Sequence, residues 1–265
     1  MHVTIVQYDI TWEDKAASQA AMDAMLAEHP PAKGGLVLLP ELGDVGFSFN
    51  IDRICDDASI EWAARTARTY DCWVQHGHVE RADDGRGLNT ASLVAPDGTI
   101  AGSYRKVHPF SFGGEASHYA AGDQLVLRRV EGACLCPLIC YDLRFPELWR
   151  LARRAGAEVF TIGASWPAER TAHWRALLIA RAIENQSFVL ACNRTGSDPH
   201  LAYDGNSMVI SPRGEIIAEA DDSSTVLQAD INLDEVHSWR ETMRCQDDVV
   251  DGFLGEIEVD TDAAP

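Results

Sequence analysis

Apolar and polar positions alternate with a period of two over residues 2–9 (HVTIVQYD), the mark of a half-buried strand. Over 13–28 the period changes, and alanine, methionine and leucine recur at helical spacing. GGLVLLPE (34–41) is a compact apolar run closed by a proline and predicts a buried strand. A helix at about 57–69 leads into a strand at 72–80 (CWVQHGHVE). NTASLVAPDGTIAGSYRKV (89–107) reads as two strands folded at Pro-Asp-Gly, and 125–139 as a second hairpin-like pair. A helix (145–155), a strand (157–163), a helix (172–185) and a strand (187–193) follow. Two further strand segments, 207–220 folded at Pro212-Arg213-Gly214 and 225–231, complete the series.

Helices interleaved with both hairpins and lone strands predict an α/β sandwich of two face-to-face sheets with helices outside. No linker or break in composition divides the chain, so residues 1–265 are expected to form a single domain. Only the acidic tail after about 250 is expected to be loose.

Composition narrows the function more than the fold. The chain carries a formal charge of −19, which argues against nucleic acid and against an anionic membrane surface as partners. Its basic residues are three lysines (Lys15, Lys33, Lys106) and nineteen arginines. An acidic, lysine-poor surface fits adaptation to high salt as well as an ordinary acidic protein from an arginine-favouring genome. The first residues lack the basic flank and apolar core of a signal peptide, and no run approaches a membrane span. A cytoplasmic location with reduced thiols is the expectation, and an odd count of seven cysteines agrees with it.

Three of those cysteines, Cys134, Cys136 and Cys140, crowd into GACLCPLICYDLRFPE (132–147). Their spacing on an extended chain lacks the repeated C-x-x-C pairs of a metal site, so no metal is expected. Cys134, Cys136, Cys72 and Cys192 read as small core hydrophobes. Cys140 differs, because it stands where a strand ends and a helix begins near Pro146. Free N–H groups at such a turn favour a thiolate, and can hold the oxyanion formed when sulfur attacks a carbonyl.

A nucleophilic thiol needs a proton acceptor and a countercharge. Glu41 stands directly after the buried strand ending at Pro40, where desolvation favours a general base. Lys106, at a strand exit in YRKVHPF, can stabilise a tetrahedral oxyanion. SYRK (103–106) fits a serine–lysine motif only if Ser103 opens a helix, and it lies in a strand. GASWP (163–167) lacks the second glycine of a nucleophile elbow, and His76 and His78 lack a third metal ligand.

LLPELGDVGF, YRKVHPF and LICYDLRFPE, in this order, resemble the three catalytic signatures of the nitrilase (carbon–nitrogen hydrolase) superfamily. The likeness continues through GASWPAERTAHWRALLIARAIENQSFVLACNRTGSD (163–198) and spans the chain from the first strand to about residue 231. The resemblance implies a four-layer αββα fold and a cofactor-independent amide hydrolase. It implies Cys140 as nucleophile, Glu41 as general base, and Lys106 with the Tyr141 N–H as oxyanion site. It further implies a second glutamate between the lysine and the cysteine, which places substrate and water; Glu115 fits by position.

CYDLRFPE and SWPAERTAHW resemble the ω-amidase branch, whose members hydrolyse the terminal amide of α-ketoglutaramate or α-ketosuccinamate. Such substrates carry a carboxylate and call for a fixed arginine. Arg144 and Arg170 are the candidates, with Arg170 the favoured partner and Arg144 read more often as the ion-pair partner of an acid such as Asp142 or Glu147. Phe110, Trp166 and Phe47 are expected to supply aromatic lining. Cleavage of an N-carbamoyl compound or of deaminated glutathione stays open, as does a non-catalytic scaffold of the same fold. The resemblance also implies a homodimer or larger assembly, with residues 232–265 reaching toward a partner subunit.

Overall fold

The computed structural model describes residues 1–250 and consists of two six-stranded sheets packed face to face. The first sheet runs in the order β14 (Thr225–Asp230), β1 (His2–Gln7), β2 (Leu36–Leu38), β3 (Trp73–Arg81), β4 (Gly87–Val94), β5 (Ile100–Arg105). The second runs β13 (Ile216–Glu219), β12 (Met208–Ile210), β9 (Phe188–Asn193), β8 (Val159–Ala164), β7 (Ala133–Ile139), β6 (Arg128–Val130). The central strands β1, β2, β3 and β7, β8, β9 pair in parallel, and antiparallel strands close the edges. A short hairpin, β10 (Thr195–Ser197) with β11 (Ala202–Asp204), lies apart from both sheets.

The layering follows from strand periodicity, since successive side chains point to opposite faces. On β9, Phe188, Leu190 and Cys192 enter the core between the sheets, with Val3, Ile5, Leu36 and Leu38 from the first sheet. Val189 and Ala191 face the other way, onto α4 (Pro146–Arg154) and α5 (Thr171–Asn185) through Trp149, Trp174 and Leu178. The first sheet does the same with Val6, Val37 and Val74 against α1 (Lys15–Glu28) and α3 (Ala58–Tyr70). The strands are apolar on both faces because both faces are covered. Each aliphatic side chain so buried stabilises the fold by roughly 1.5–3 kcal/mol before entropy is counted. The result is the expected α-β-β-α sandwich.

Local chemistry sets the element ends. Asp14 caps α1 by accepting the Ala17 N–H at 3.0 Å, and Pro146 opens α4 where its missing N–H costs nothing. Three elements escape the sequence pattern: the single-turn α2 (Ile51–Ile54), the β10–β11 hairpin, and α6 (Asp234–Thr242), all too short or too polar to show a clear period. Residues 234–242 pack against the second sheet of this chain. Arg240 donates to the backbone carbonyls of Ala157 and Gln186, and Val236 is buried. The tail expected to be loose lies mostly in 251–265, outside the described residues. No helix among the described residues is long and apolar enough to cross a membrane.

Candidate active site

Glu41 follows β2, Lys106 follows β5, and Cys140 follows β7, so the carboxylate and amine come from one sheet and the thiol from the other. The chain meets itself closely there. A Cβ on Gly77 of β3 would lie 2.6 Å from the Leu42 nitrogen and 2.8 Å from the Pro40 oxygen. One on Gly163 of β8 would lie 2.7 Å from the Leu39 oxygen. These two glycines form the floor on which Glu41 is seated.

Cys140 has φ +41°, a left-handed conformation that a side chain disfavours, and it begins a short 3-10 turn through Arg144. Such strain is kept where the surroundings over-determine it. Leu42, beside Glu41, has φ +46°.

The ionisable groups form one buried network. Lys106 Nζ lies 2.7 Å from Glu41 Oε1 and 2.8 Å from Glu115 Oε2, and all three side chains are almost fully inaccessible. Asn89 Nδ2 donates to both carboxylates, to Glu41 Oε1 at 2.8 Å and to Glu115 Oε1 at 2.9 Å. The Ser165 N–H donates to Glu41 Oε2 at 3.0 Å. Burial works against the charge of Lys106, but Glu115 and Glu41 outweigh it and hold the amine's pKa well above the ordinary lysine value.

The thiol behaves oppositely. Burial, then the negative charge of Glu41, push the Cys140 pKa well above the ordinary thiol value, against the pull of Lys106 and the Ser165 N–H. The turn therefore does not supply a resting thiolate, as its N–H groups had suggested; desolvation beside a carboxylate is the larger effect. A neutral thiol next to a carboxylate can act as a nucleophile if it gives up its proton as it attacks. Cys136 and Cys192, buried in the core, are likewise pushed up, chiefly by desolvation, with Cys134 and Asp142 adding to it at Cys136.

One pocket opens onto these groups. It is lined by Glu41, Lys106 and Cys140, by the aromatic residues Phe47, Phe110, Tyr141 and Trp166, and by Arg144 and Arg170. Every expected site residue except Glu115 lines it. Glu115 sits behind Lys106, with its carboxylate on Lys106, Asn89 and the Phe110 N–H rather than on the pocket.

The expectation for Arg144 is corrected. Asp142 is occupied by Tyr104, His108 and the Ile139 N–H, and no carboxylate among the described residues pairs with Arg144. Its guanidinium lies over the Trp166 ring at 4.7 Å and contacts His173. Arg170 likewise lacks a carboxylate partner among the described residues and lies over Phe110 at 5.6 Å. Sequence reasoning missed Asn89 and Ser165. Asn89 was legible as a polar residue at a buried strand position, whereas Ser165 acts through its backbone N–H and leaves no side-chain signal. His76 and His78 are both buried, and no group of metal-ligating side chains assembles among the described residues.

Residues 2–241 match the carbon–nitrogen hydrolase family model. The chain is 34% identical to 2-oxoglutaramate amidase of Bacillus subtilis over 93% of its own length and 96% of that protein. It is 35% identical to omega-amidase YafV of Escherichia coli over 91% and 93%. Among solved structures, XC1258 from Xanthomonas campestris, a CN-hydrolase superfamily protein with an arsenic adduct in its active site, superposes with a TM-score of 0.88. That pair is 31% identical and covers 96% of this chain and 99% of the other.

Proposed function

This chain belongs to the carbon–nitrogen hydrolase family as an amidase, and on that premise we propose that it hydrolyses the terminal amide of a short 2-keto dicarboxylic acid monoamide such as α-ketoglutaramate or α-ketosuccinamate. The observation that carries this reading is the pair Arg144 and Arg170. Two guanidinium groups without carboxylate partners among the described residues line the same pocket as the thiol. An anionic substrate end supplies the missing countercharge, and planar guanidinium suits a carboxylate. The two relatives named for 2-oxoglutaramate and ω-amide cleavage support the same class.

In the proposed reaction Glu41 accepts the Cys140 proton as sulfur attacks the amide carbon. The carbonyl oxygen becomes an oxyanion held by Lys106 Nζ and the Tyr141 N–H. Collapse breaks the C–N bond, Glu41 returns its proton to the leaving nitrogen, and ammonia departs from a thioester on Cys140. Glu41 then takes a proton from water as the water oxygen attacks the thioester, and the second collapse releases the dicarboxylic keto acid and restores the thiol. Glu115 keeps Lys106 charged and in place throughout, a role that suits its position behind the amine.

Hydrolysis of α-ketoglutaramate and of an N-carbamoyl amino acid, read as ammonia, and of deaminated glutathione, read as released cysteinylglycine, compared at equal concentration, tests the substrate class. Preference for the keto-acid amide by at least tenfold in kcat/KM is expected; preference for either other amide overturns it. A mass increase of one acyl group on the Cys140 peptide after acid quench tests the thioester.

A further inference from the structure

The proposed oxyanion site draws on both sheets: Lys106 leaves β5 of the first, and Tyr141 follows β7 of the second. One side chain ties these two arms together. Asp142 is fully buried, and its carboxylate accepts four hydrogen bonds. Oδ2 accepts the Tyr104 hydroxyl at 2.8 Å and the Ile139 N–H at 3.1 Å. Oδ1 accepts the His108 N–H at 3.1 Å and faces His108 Nδ1 at 3.0 Å. Two of these donors, Tyr104 and His108, flank Lys106 at a distance of two residues on either side. The third, Ile139, is the residue before the nucleophile.

The Tyr104 hydroxyl also accepts the Val107 N–H at 3.3 Å, which fixes the residue directly after Lys106. The His108 ring stacks on Phe145 at 3.6 Å between centroids, closing the turn from its far end. Asp142 thus holds a strained turn, with Cys140 at φ +41°, against the segment that carries the amine.

We propose that Asp142 is a positioning residue that sets the spacing between the Lys106 amine and the Tyr141 N–H, with Tyr104 and His108 as its levers. It rests on the reading of those two groups as the oxyanion donors. Asp142 touches neither the pocket nor the reacting atoms; it acts on where the donors stand. Donor placement matters most when charge sits on the carbonyl oxygen, so the loss falls on the transition state more than on the ground state.

Asp142→Asn turns one acceptor edge of the carboxylate into a donor facing N–H or O–H groups, and Tyr104→Phe removes a single lever with little change in volume. Turnover of the keto-acid amide by both variants is compared with alkylation of Cys140 by iodoacetamide, which needs no oxyanion site. The expected result is a fall in kcat of about 100-fold for Asp142→Asn and about tenfold for Tyr104→Phe. KM stays within roughly threefold, and alkylation rates stay within roughly threefold of the parent. Affinity for an aldehyde analogue, whose adduct with the thiol carries the oxyanion, falls in parallel with kcat, and the double variant loses no more than Asp142→Asn alone.

Unchanged kcat in soluble, folded Tyr104→Phe overturns the proposal, as does a loss shared equally by kcat and alkylation, which marks a general structural role. Should Asp142→Asn fail to fold, Tyr104→Phe and His108→Ala carry the same comparison. Cys140→Ala is run beside them: amidase activity in that variant refutes the underlying reading and not the role of Asp142.

Discussion

Lys106 and Glu41 form an ion pair at 2.7 Å between side chains that are 1% and 0% exposed. With Glu115 on the other side of the amine, one cation serves two buried carboxylates. Lys106→Met leaves both carboxylates without it, and breaking a buried pair from one side costs about 3–5 kcal/mol. Denaturant unfolding of the variant measures that loss. The Lys106 pKa is raised in the fold, so its contribution is full below the unfolded lysine value and is lost as pH rises through the higher folded value. The gap between parent and variant is therefore expected to stay constant from neutral pH to about 10.

In the proposed mechanism Glu41 is the proton acceptor and Cys140 the thiol it deprotonates. Glu41→Gln removes the acceptor, so turnover is expected to fall about 100- to 10,000-fold. The same substitution removes a charge that opposes the thiolate. The pH profile for iodoacetamide alkylation of Cys140 should then move to lower pH while amidase activity collapses. Movement to higher pH refutes the electrostatic assignment.

Arg144 and Arg170 are expected to contribute separately to binding of the keto-acid carboxylate. Arg170→Gln and Arg144→Gln should each raise KM for the keto-acid amide about 10- to 100-fold, the range of a lost charged hydrogen bond. KM for an uncharged acyl amide such as propionamide should change by less than about threefold. Equal effects on the two substrates remove the carboxylate assignment.

Gly77→Ala places a Cβ 2.6 Å from the Leu42 nitrogen, and backbone on both sides leaves it nowhere to go. Overpacking of this kind costs about 1–3 kcal/mol. Because Glu41 lies on the displaced segment, kcat should fall more than the melting temperature explains. Gly85→Ala, whose Cβ meets nothing within 4 Å, is the control for backbone strain without crowding.

Glu158 fastens α6 to the second sheet by accepting His237 Nε2 at 2.6 Å and the Cys134 N–H at 2.7 Å. Burial works against its charge, yet these donors and Arg129 hold its pKa below the ordinary carboxylate value. Its stabilisation is present above the unfolded value of about 4.3 and is lost as pH falls through the lower folded one. The melting temperatures of the parent and Glu158→Gln should differ at pH 7, and the gap should close only as pH falls below the ordinary glutamate range.

Periodicity along the chain was enough to determine the sandwich, because residues such as Val189 and Leu190 on one strand must each find a covered face. The positions of Glu41, Lys106 and Cys140 at strand exits were legible for the same reason, since a polar residue closing an apolar run marks a sheet rim. The sequence also carried the arginines and aromatic residues that line the pocket. What it could not carry is how distant groups change one another. The thiol's pKa depends on a carboxylate 99 positions away in the chain and on burial that only packing creates. Arg144 looked paired because acids stand near it in sequence; folding commits Asp142 to Tyr104 and His108 and turns the guanidinium toward Trp166. Ser165 enters through a backbone N–H, and Gly77 and Gly163 through the space they leave empty. Side-chain pattern specifies which surfaces must be buried, whereas charge, hydrogen bonding and close approach at the site are properties of pairs that only the tertiary structure brings together.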